Sequence, residues 1–202
     1  PLEHELKFND LVVRRRLLVN FASIEKTRNT QNIDAEAYES ANRHLAWLRS
    51  EIAVLEARIH EMIMSREDWR RKYQIVRSYP GAGNVLATTL VAELPELGRI
   101  GRSKISALVG VAPIPRESGQ ISDRRHIRGG RKPVRNALFM SSISAQKHNP
   151  EIESLISRMQ AAGKPKRVAR VAAMRKMLIT LDALVRDDRE WEPRTSPTSG
   201  EL

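Results

Sequence analysis

Residues 45–69 read LAWLRSEIAVLEARIHEMIMSREDW, and Leu45, Leu48, Ile52, Leu55, Ile59 and Met62 recur in them at intervals of 3, 4, 3, 4 and 3. Intervals alternating between three and four keep one narrow apolar stripe on one side of an α-helix, and Glu51, Glu56, Arg58 and Glu61 keep its flanks polar. The same register continues through Arg66 to Trp69. Asp34 is placed to cap this helix, and Glu36 favours its positive first turn. One helix is therefore expected over residues 35–77, with a length of roughly 60 Å. Such a rod needs a partner. A first helix from about Glu5 to Arg28, with Leu11, Leu17, Leu18, Phe21 and Ile24 as its apolar positions, supplies part of one as an antiparallel hairpin. A second protomer supplies the rest. The alternative is a long helix lying on its own domain.

Tyr79-Pro80-Gly81-Ala82-Gly83 ends the rod, and helical periodicity resumes behind Asn84, read as a cap, with Val85, Leu86, Leu90, Val91 and Leu94 as core candidates. A helix, a Pro-Gly-x-Gly turn and a second helix resemble a helix-hairpin-helix module. The glycines Gly81 and Gly83 let the turn approach a phosphate, and N–H groups at the helix start donate to it. An ordinary helix connector is the plain alternative. A short helix from Ser103 is closed by Gly110, and residues 115–127 alone have strand-like character, as a short β-hairpin or ordered loop. Three further helices follow. The first has Pro133 in its first turn and Val134, Leu138, Phe139, Ile143 and Ala145 as its apolar side. The second restarts at Asn149-Pro150 and stops at Gly163, and the last covers residues 166–185 with Val168, Val171, Met174, Leu178, Leu181 and Leu184 as its stripe. The fold class is mainly α: a long helical coiled-coil hairpin, then a compact helical domain with the helix-hairpin-helix-like element and the short β segment. Three regions result: an assembly arm (1–78), a C-terminal domain (79–186) and a disordered acidic tail (187–202).

Charge separates these regions. Residues 1–78 hold 14 basic and 12 acidic side chains, residues 79–186 hold 19 and 7, and residues 187–202 hold 2 and 5. A basic domain behind a near-neutral arm points to a polyanion ligand. No run approaches the ~20 apolar residues of a membrane span, and the start does not read as a signal peptide. The chain has no cysteine, which excludes disulfides and Cys-based zinc sites, and its five histidines lack ligand spacing. No cofactor is expected within it.

The basic excess is densest over residues 116–135, where seven Lys/Arg (Arg116, Arg124, Arg125, Arg128, Arg131, Lys132 and Arg135) stand against two acids. Among them Ser118-Gly119 sets one hydroxyl on a glycine turn. A serine among guanidinium groups is equipped to attack a phosphodiester, because the arginines neutralise the charge that builds on phosphorus. Ser-Gly is equally a common turn pair. A second basic patch, with Lys164, Lys166, Arg167 and Arg170, lies in a stretch without acids and suits a phosphate track.

The order of three motifs is more specific than any one of them: Pro-Gly-x-Gly at 80–83, Arg-x-Ser-Gly at 116–119 and Gly-Gly-Arg at 129–131. With YPGAGNVLATTLVAELPELG (79–98), SALVGVAPIPRESG (106–119) and RRHIRGGRKPVRNALFMSSISAQKHNP (124–150), the chain resembles the bridge-RNA-guided insertion-sequence transposases and recombinases. These pair a RuvC-like acidic (DEDD) domain with a C-terminal serine domain. The resemblance implies that Ser118 is the nucleophile, becoming linked to a cut DNA end, with Arg116, Arg125, Arg128 and Arg131 contacting phosphate. It implies DNA and a guide RNA as partners, a homo-oligomer joined through the coiled coil, and a prokaryotic cytoplasmic, nucleoid-associated setting. Divalent metal belongs to the RuvC-like domain, which this sequence lacks. The chain is therefore expected to be a fragment, inactive alone. Glu117 stands where the family usually has Asp, and Ser122-Asp123 replaces a more basic stretch. Two other readings stand beside this one: a non-catalytic DNA- or RNA-binding and oligomerisation module, and a purely structural assembly domain.

Overall fold

A computed structural model describes residues 3–31, 34–112, 114–118, 121–126 and 129–193 of the chain. Among them are eight α-helices and one two-stranded antiparallel sheet, a mainly α fold. The chain divides into two compact units, residues 1–70 and 71–202.

In the first unit, α1 (Glu3–Asn29) and α2 (Ala35–Met64) form an antiparallel hairpin. Asp34 caps α2 as its sequence suggests, its carboxylate accepting the Ala37 N–H at 2.8 Å. The inner seam joins Phe8, Val12 and Leu18 to Ala41, Leu45, Leu48, Ile59 and Ile63. Arg15 donates to Glu56 at 2.9 Å, and Asn29 to Asn42 at 2.9 Å near the turn. At the open end Phe8 packs on Trp69, with ring centroids 4.4 Å apart. The expected stripe of α1 is only partly inside: Leu18 is buried, while Leu17, Phe21 and Ile24 are exposed.

The expected single helix over 35–77 is two helices. Ser65 ends α2, its hydroxyl donating to the Met62 carbonyl at 2.9 Å, and α3 (Glu67–Ser78) begins two residues on. A serine hydroxyl that bonds a backbone carbonyl competes with the helical ladder, and Glu67 and Asp68 stabilise a new positive helix start. Apolar period alone passed over this break.

The second unit contains most of α3, then α4 (Asn84–Glu93), α5 (Gly101–Val109), β1 (Ile114–Ser118), β2 (Ile121–His126), α6 (Lys132–His148), α7 (Pro150–Ala161) and α8 (Lys166–Arg186). Helix α8 packs on α5, α6 and α7, and α4 lies along α6. Leu86, Leu90, Ile105, Val109, Leu138, Ile152, Met174, Leu178 and Leu181 fill the centre. Asn149 caps α7, accepting the Glu151 N–H at 3.0 Å. Gly110 closes α5 in the left-handed conformation. The N-cap of α4 is Gly83 in place of Asn84, whose side chain accepts the Tyr73 hydroxyl at 3.1 Å. Four positions expected in the core lie outside it: Val85, Phe139, Ile143 and Val168 are exposed.

Two polar contacts anchor the outer turns of this unit. The buried Asp182 of α8 accepts the Gly98 N–H at 2.8 Å. Residues 187–193, expected to be without order, are described and held: Arg71 donates to Asp188 and Glu190 at 2.8 and 2.9 Å. The Trp191 N–H donates to Ser78 Oγ at 2.8 Å, and its ring meets Tyr79 edge-on. The rest of the expected tail, 194–202, lies outside the described residues.

Candidate nucleic-acid interface

Ser118 is the last residue of β1. The hairpin register pairs it with Ile121, Glu117 with Ser122 and Arg116 with Asp123, with a bulge between Ile114 and Arg116. Arg124 and Arg125 lie in β2. The reading of residues 115–127 as a short hairpin thus has its two strands. Gly119, which completes the Arg-x-Ser-Gly motif, and Arg128 lie outside the described residues.

The segment that carries the hairpin leaves the helical core and returns at one point. Gly110, at the end of α5, and Gly130, before α6, have φ of 76° and 72°. A Cβ on Gly130 would overlap the Val109–Gly110 backbone, and one on Gly110 would overlap the Gly129 carbonyl. Only a side-chain-free crossing lets the two strands of chain come this close. The Arg131 N–H then donates to the Leu108 carbonyl at 3.1 Å, and Arg135 donates to the Gly129 carbonyl.

Arg131 completes this neck. Its guanidinium takes both Glu96 carboxylate oxygens at 2.6 Å and the Glu93 carbonyl at 2.8 Å. The hydrogen bonds from Arg131 hold the Glu96 carboxyl below the usual carboxylate range, and Glu96 in turn raises Arg131. Arg131 and Arg135 were both read as phosphate ligands; in this structure their hydrogen bonds close the neck. Arg170, from the second patch, donates to the Ser142 carbonyl at 2.9 Å and to Gln146 at 2.7 Å, tying α8 to α6.

Other basic candidates remain open to solvent. Lys132 is exposed at the start of α6. Lys164, Lys166 and Arg167 are exposed around the start of α8, whose N-cap Pro165 offers no side-chain acceptor. None of these four is in an ion pair among the described residues. The positive end of a helix and three cations give a place where anionic charge is favoured.

The two glycines of the Pro-Gly-x-Gly turn differ. Gly81 has φ +93°, and a Cβ there would come within 2.6 Å of Ala145 Cβ and closer still to the Ala145 backbone. Its missing side chain seats the turn on α6. Gly83 has nothing within 4 Å of the Cβ position, so the start of α4 is open. Arg77 donates to the Ala82 carbonyl at 2.6 Å and fixes the turn between them. Tyr79 is buried beside it, and that burial, followed by Glu151, raises its phenol well above the ordinary value.

Sequence reasoning missed Glu96, Asp182 and Trp191. Glu96, an acid directly after Pro95 in a basic region, is the nearest thing to a visible signal.

Residues 73–157, which span the turn, the neck and the hairpin, match the family described as the transposase IS116/IS110/IS902 family. The chain is 28% identical over 196 residues to the insertion element IS900 uncharacterized 42 kDa protein of Mycobacterium paratuberculosis, covering 87% of this chain and 49% of the relative. It is 26% identical over 198 residues to the pilin gene-inverting protein of Moraxella bovis, covering 95% of this chain and 61% of the relative. The insertion element IS116 uncharacterized 44.8 kDa protein of Streptomyces clavuligerus is 27% identical over 177 residues, covering 85% of this chain and 44% of the relative. The chain thus spans about half the length of the curated relatives it matches. The two-glycine neck and the β1–β2 hairpin both fall within the matched segment. Among the described residues no helix is long and apolar enough to cross a membrane.

Proposed function

We propose that this chain is the strand-cleaving and assembly part of a DNA transposase or site-specific recombinase, with Ser118 as its nucleophile. The observation that carries the reading is the family match over residues 73–157, which contain the Arg-x-Ser-Gly motif, its Arg116, Glu117 and Ser118 lying in β1. The pilin gene-inverting relatives support a recombinase by their names.

In the proposed step Ser118 Oγ attacks the phosphorus of a DNA phosphodiester. A phosphoserine P–O bond forms, the bond to one deoxyribose oxygen breaks, and that oxygen leaves as a hydroxyl after taking up a proton. The serine proton passes to solvent or to a neighbouring base. No phosphoester bond is lost in number, so the reverse attack by a new hydroxyl rejoins the strand. Arg116, Arg124, Arg125 and Arg128 are the proposed phosphate contacts, since charge-assisted and often bidentate bonds suit guanidinium and phosphate. Lys132, Lys164, Lys166, Arg167 and the open start of α4 at Gly83 extend the track. Arg131, Arg135 and Arg170 support it from behind. A RuvC-like acidic domain on the longer protein would supply divalent metal, and a bridge RNA would supply target choice. The exposed residues Leu17, Phe21 and Ile24 of α1 support assembly of arms into a homo-oligomer that brings this segment to another protomer's acidic domain. A cytoplasmic, nucleoid-associated setting follows from such a substrate.

The test is covalent trapping. The chain is incubated with duplexes and nicked junctions carrying element ends, with the acidic domain supplied in trans, and then denatured. The expected result is a protein–DNA adduct that is absent in Ser118→Ala, while reversible binding persists. Salt-sensitive binding with no adduct after complementation would leave the non-catalytic nucleic-acid-binding module in its place.

A further inference from the structure

Helix α6 was expected to point Phe139 and Ile143 inward, and the structure leaves both outside. Phe139 is 44% exposed, Met140 64% and Ile143 37%. Lys132, Met140, Ile143 and Lys147 fall at offsets of 0, 8, 11 and 15 along the helix and so share one face, with Phe139 beside it. The sequence of α6, KPVRNALFMSSISAQKH, contains no acidic residue. Lys132 and Lys147 are exposed and in no ion pair among the described residues. An aromatic ring and two apolar side chains are therefore held on a rigid helix between two exposed cations.

We propose that this face binds an unpaired DNA strand, with Phe139 as the platform on which a base stacks and Met140 and Ile143 as its apolar surround. The choice of DNA rests on the function proposed above, because α6 begins directly after the hairpin that carries Ser118. Charge favours a nucleic acid over a second copy of this chain: the face is cationic, and the chain has a net charge of +11. The geometry suits a strand. Lys132 and Lys147 are about 22 Å apart along the helix, room for a short run of nucleotides within the roughly 4–16 that one single-strand-binding surface covers. Apolar and aromatic side chains set among cations are the means by which proteins hold unstacked bases without reading sequence. A strand opened next to the cleavage point would thereby be kept from re-pairing.

The test uses the whole chain and fluorescence anisotropy with a labelled thymidine strand of about twelve nucleotides, the order of size one binding surface covers. A strand of equal length with abasic sugars keeps the phosphates and removes the bases. The wild type is expected to prefer the thymidine strand by about 5- to 100-fold. Phe139→Ala is expected to abolish that preference and leave the salt dependence unchanged, whereas Lys132→Gln and Lys147→Gln reduce the salt slope. Helix content by circular dichroism checks that each variant folds, and the abasic comparison on the wild type needs no variant. Equal affinity of the wild type for both strands overturns the proposal. So does a Phe139→Ala variant that keeps the preference, or one that changes only the sedimentation coefficient, which would assign the face to a second copy. Ser118 adducts are scored separately: an adduct without base preference sinks this inference alone, and base preference without an adduct sinks Ser118 alone.

Discussion

Replacing each glycine of the Pro-Gly-Ala-Gly turn by alanine separates packing from ligand approach. At Gly81 the backbone is left-handed, with φ +93°, which costs an L-residue about 1–2 kcal/mol. The new methyl would also enter the space of the Ala145 backbone on α6, which has no side-chain torsion with which to yield. Overpacking of that kind adds about 1–3 kcal/mol. Gly81→Ala is thus expected to lose about 2–5 kcal/mol, a large part of the ~5–15 kcal/mol that holds a domain together. At Gly83 the φ of −84° and ψ of 175° are open to any residue, and the Cβ position is empty. There alanine gives up only the N-cap preference, about 1 kcal/mol or less. Amide hydrogen exchange followed by mass spectrometry reads the second unit directly. Peptides from α4 and α6 should exchange about thirtyfold to several-thousandfold faster in Gly81→Ala, at tenfold per 1.4 kcal/mol. They should be close to wild type in Gly83→Ala, whose defect is expected in DNA affinity. Unchanged exchange in Gly81→Ala would show that the turn does not depend on close seating against α6, and the argument would fail.

Glu96→Gln tests the neck. The folded-state carboxyl lies below its ordinary value, so its stabilisation is present above the unfolded pKa and is lost as pH falls through the folded one. Partial exposure screens the pair, and the difference from wild type at neutral pH is expected to be about 1 kcal/mol, shrinking toward zero in urea titrations as pH falls below about 4. Asp182→Ala removes the acceptor for the Gly98 N–H in a buried position and should cost about 1.5–3 kcal/mol. Asp182→Asn keeps an acceptor and should lose less, as read from the denaturation midpoint.

Local signals in the sequence carried through to the structure where the chemistry is local. Asp34 and Asn149 cap the helices they precede, Gly110 and Gly163 take left-handed backbone at helix ends, and Met174, Leu178, Leu181 and Leu184 line the buried side of α8. The break at Ser65–Arg66 was written in a hydroxyl and two acids, a weaker signal than an unbroken apolar period. The arginines were harder still. A guanidinium is equally suited to phosphate, carboxylate and backbone carbonyl, and composition does not say which of them the fold will bring near. Arg131 finds Glu96 at a distance of 35 residues in sequence, and Arg71 finds Asp188 at 117. Such partners follow only from the packing of helices. Phe139 shows the same limit in reverse: its spacing suits a core position, yet the helices that could cover it pack elsewhere.

The glycine crossing at residues 110 and 130 has an evolutionary corollary. A segment whose two ends meet backbone to backbone presents the scaffold with the same junction whatever lies between them. Doubling the length of an enclosed flexible segment costs only about 0.6 kcal/mol in closure entropy. The stretch between the glycines is therefore an exchangeable cassette. Its length can change around the Arg-x-Ser-Gly motif and the arginines without altering the junction, so long as two residues without side chains are kept at its mouth.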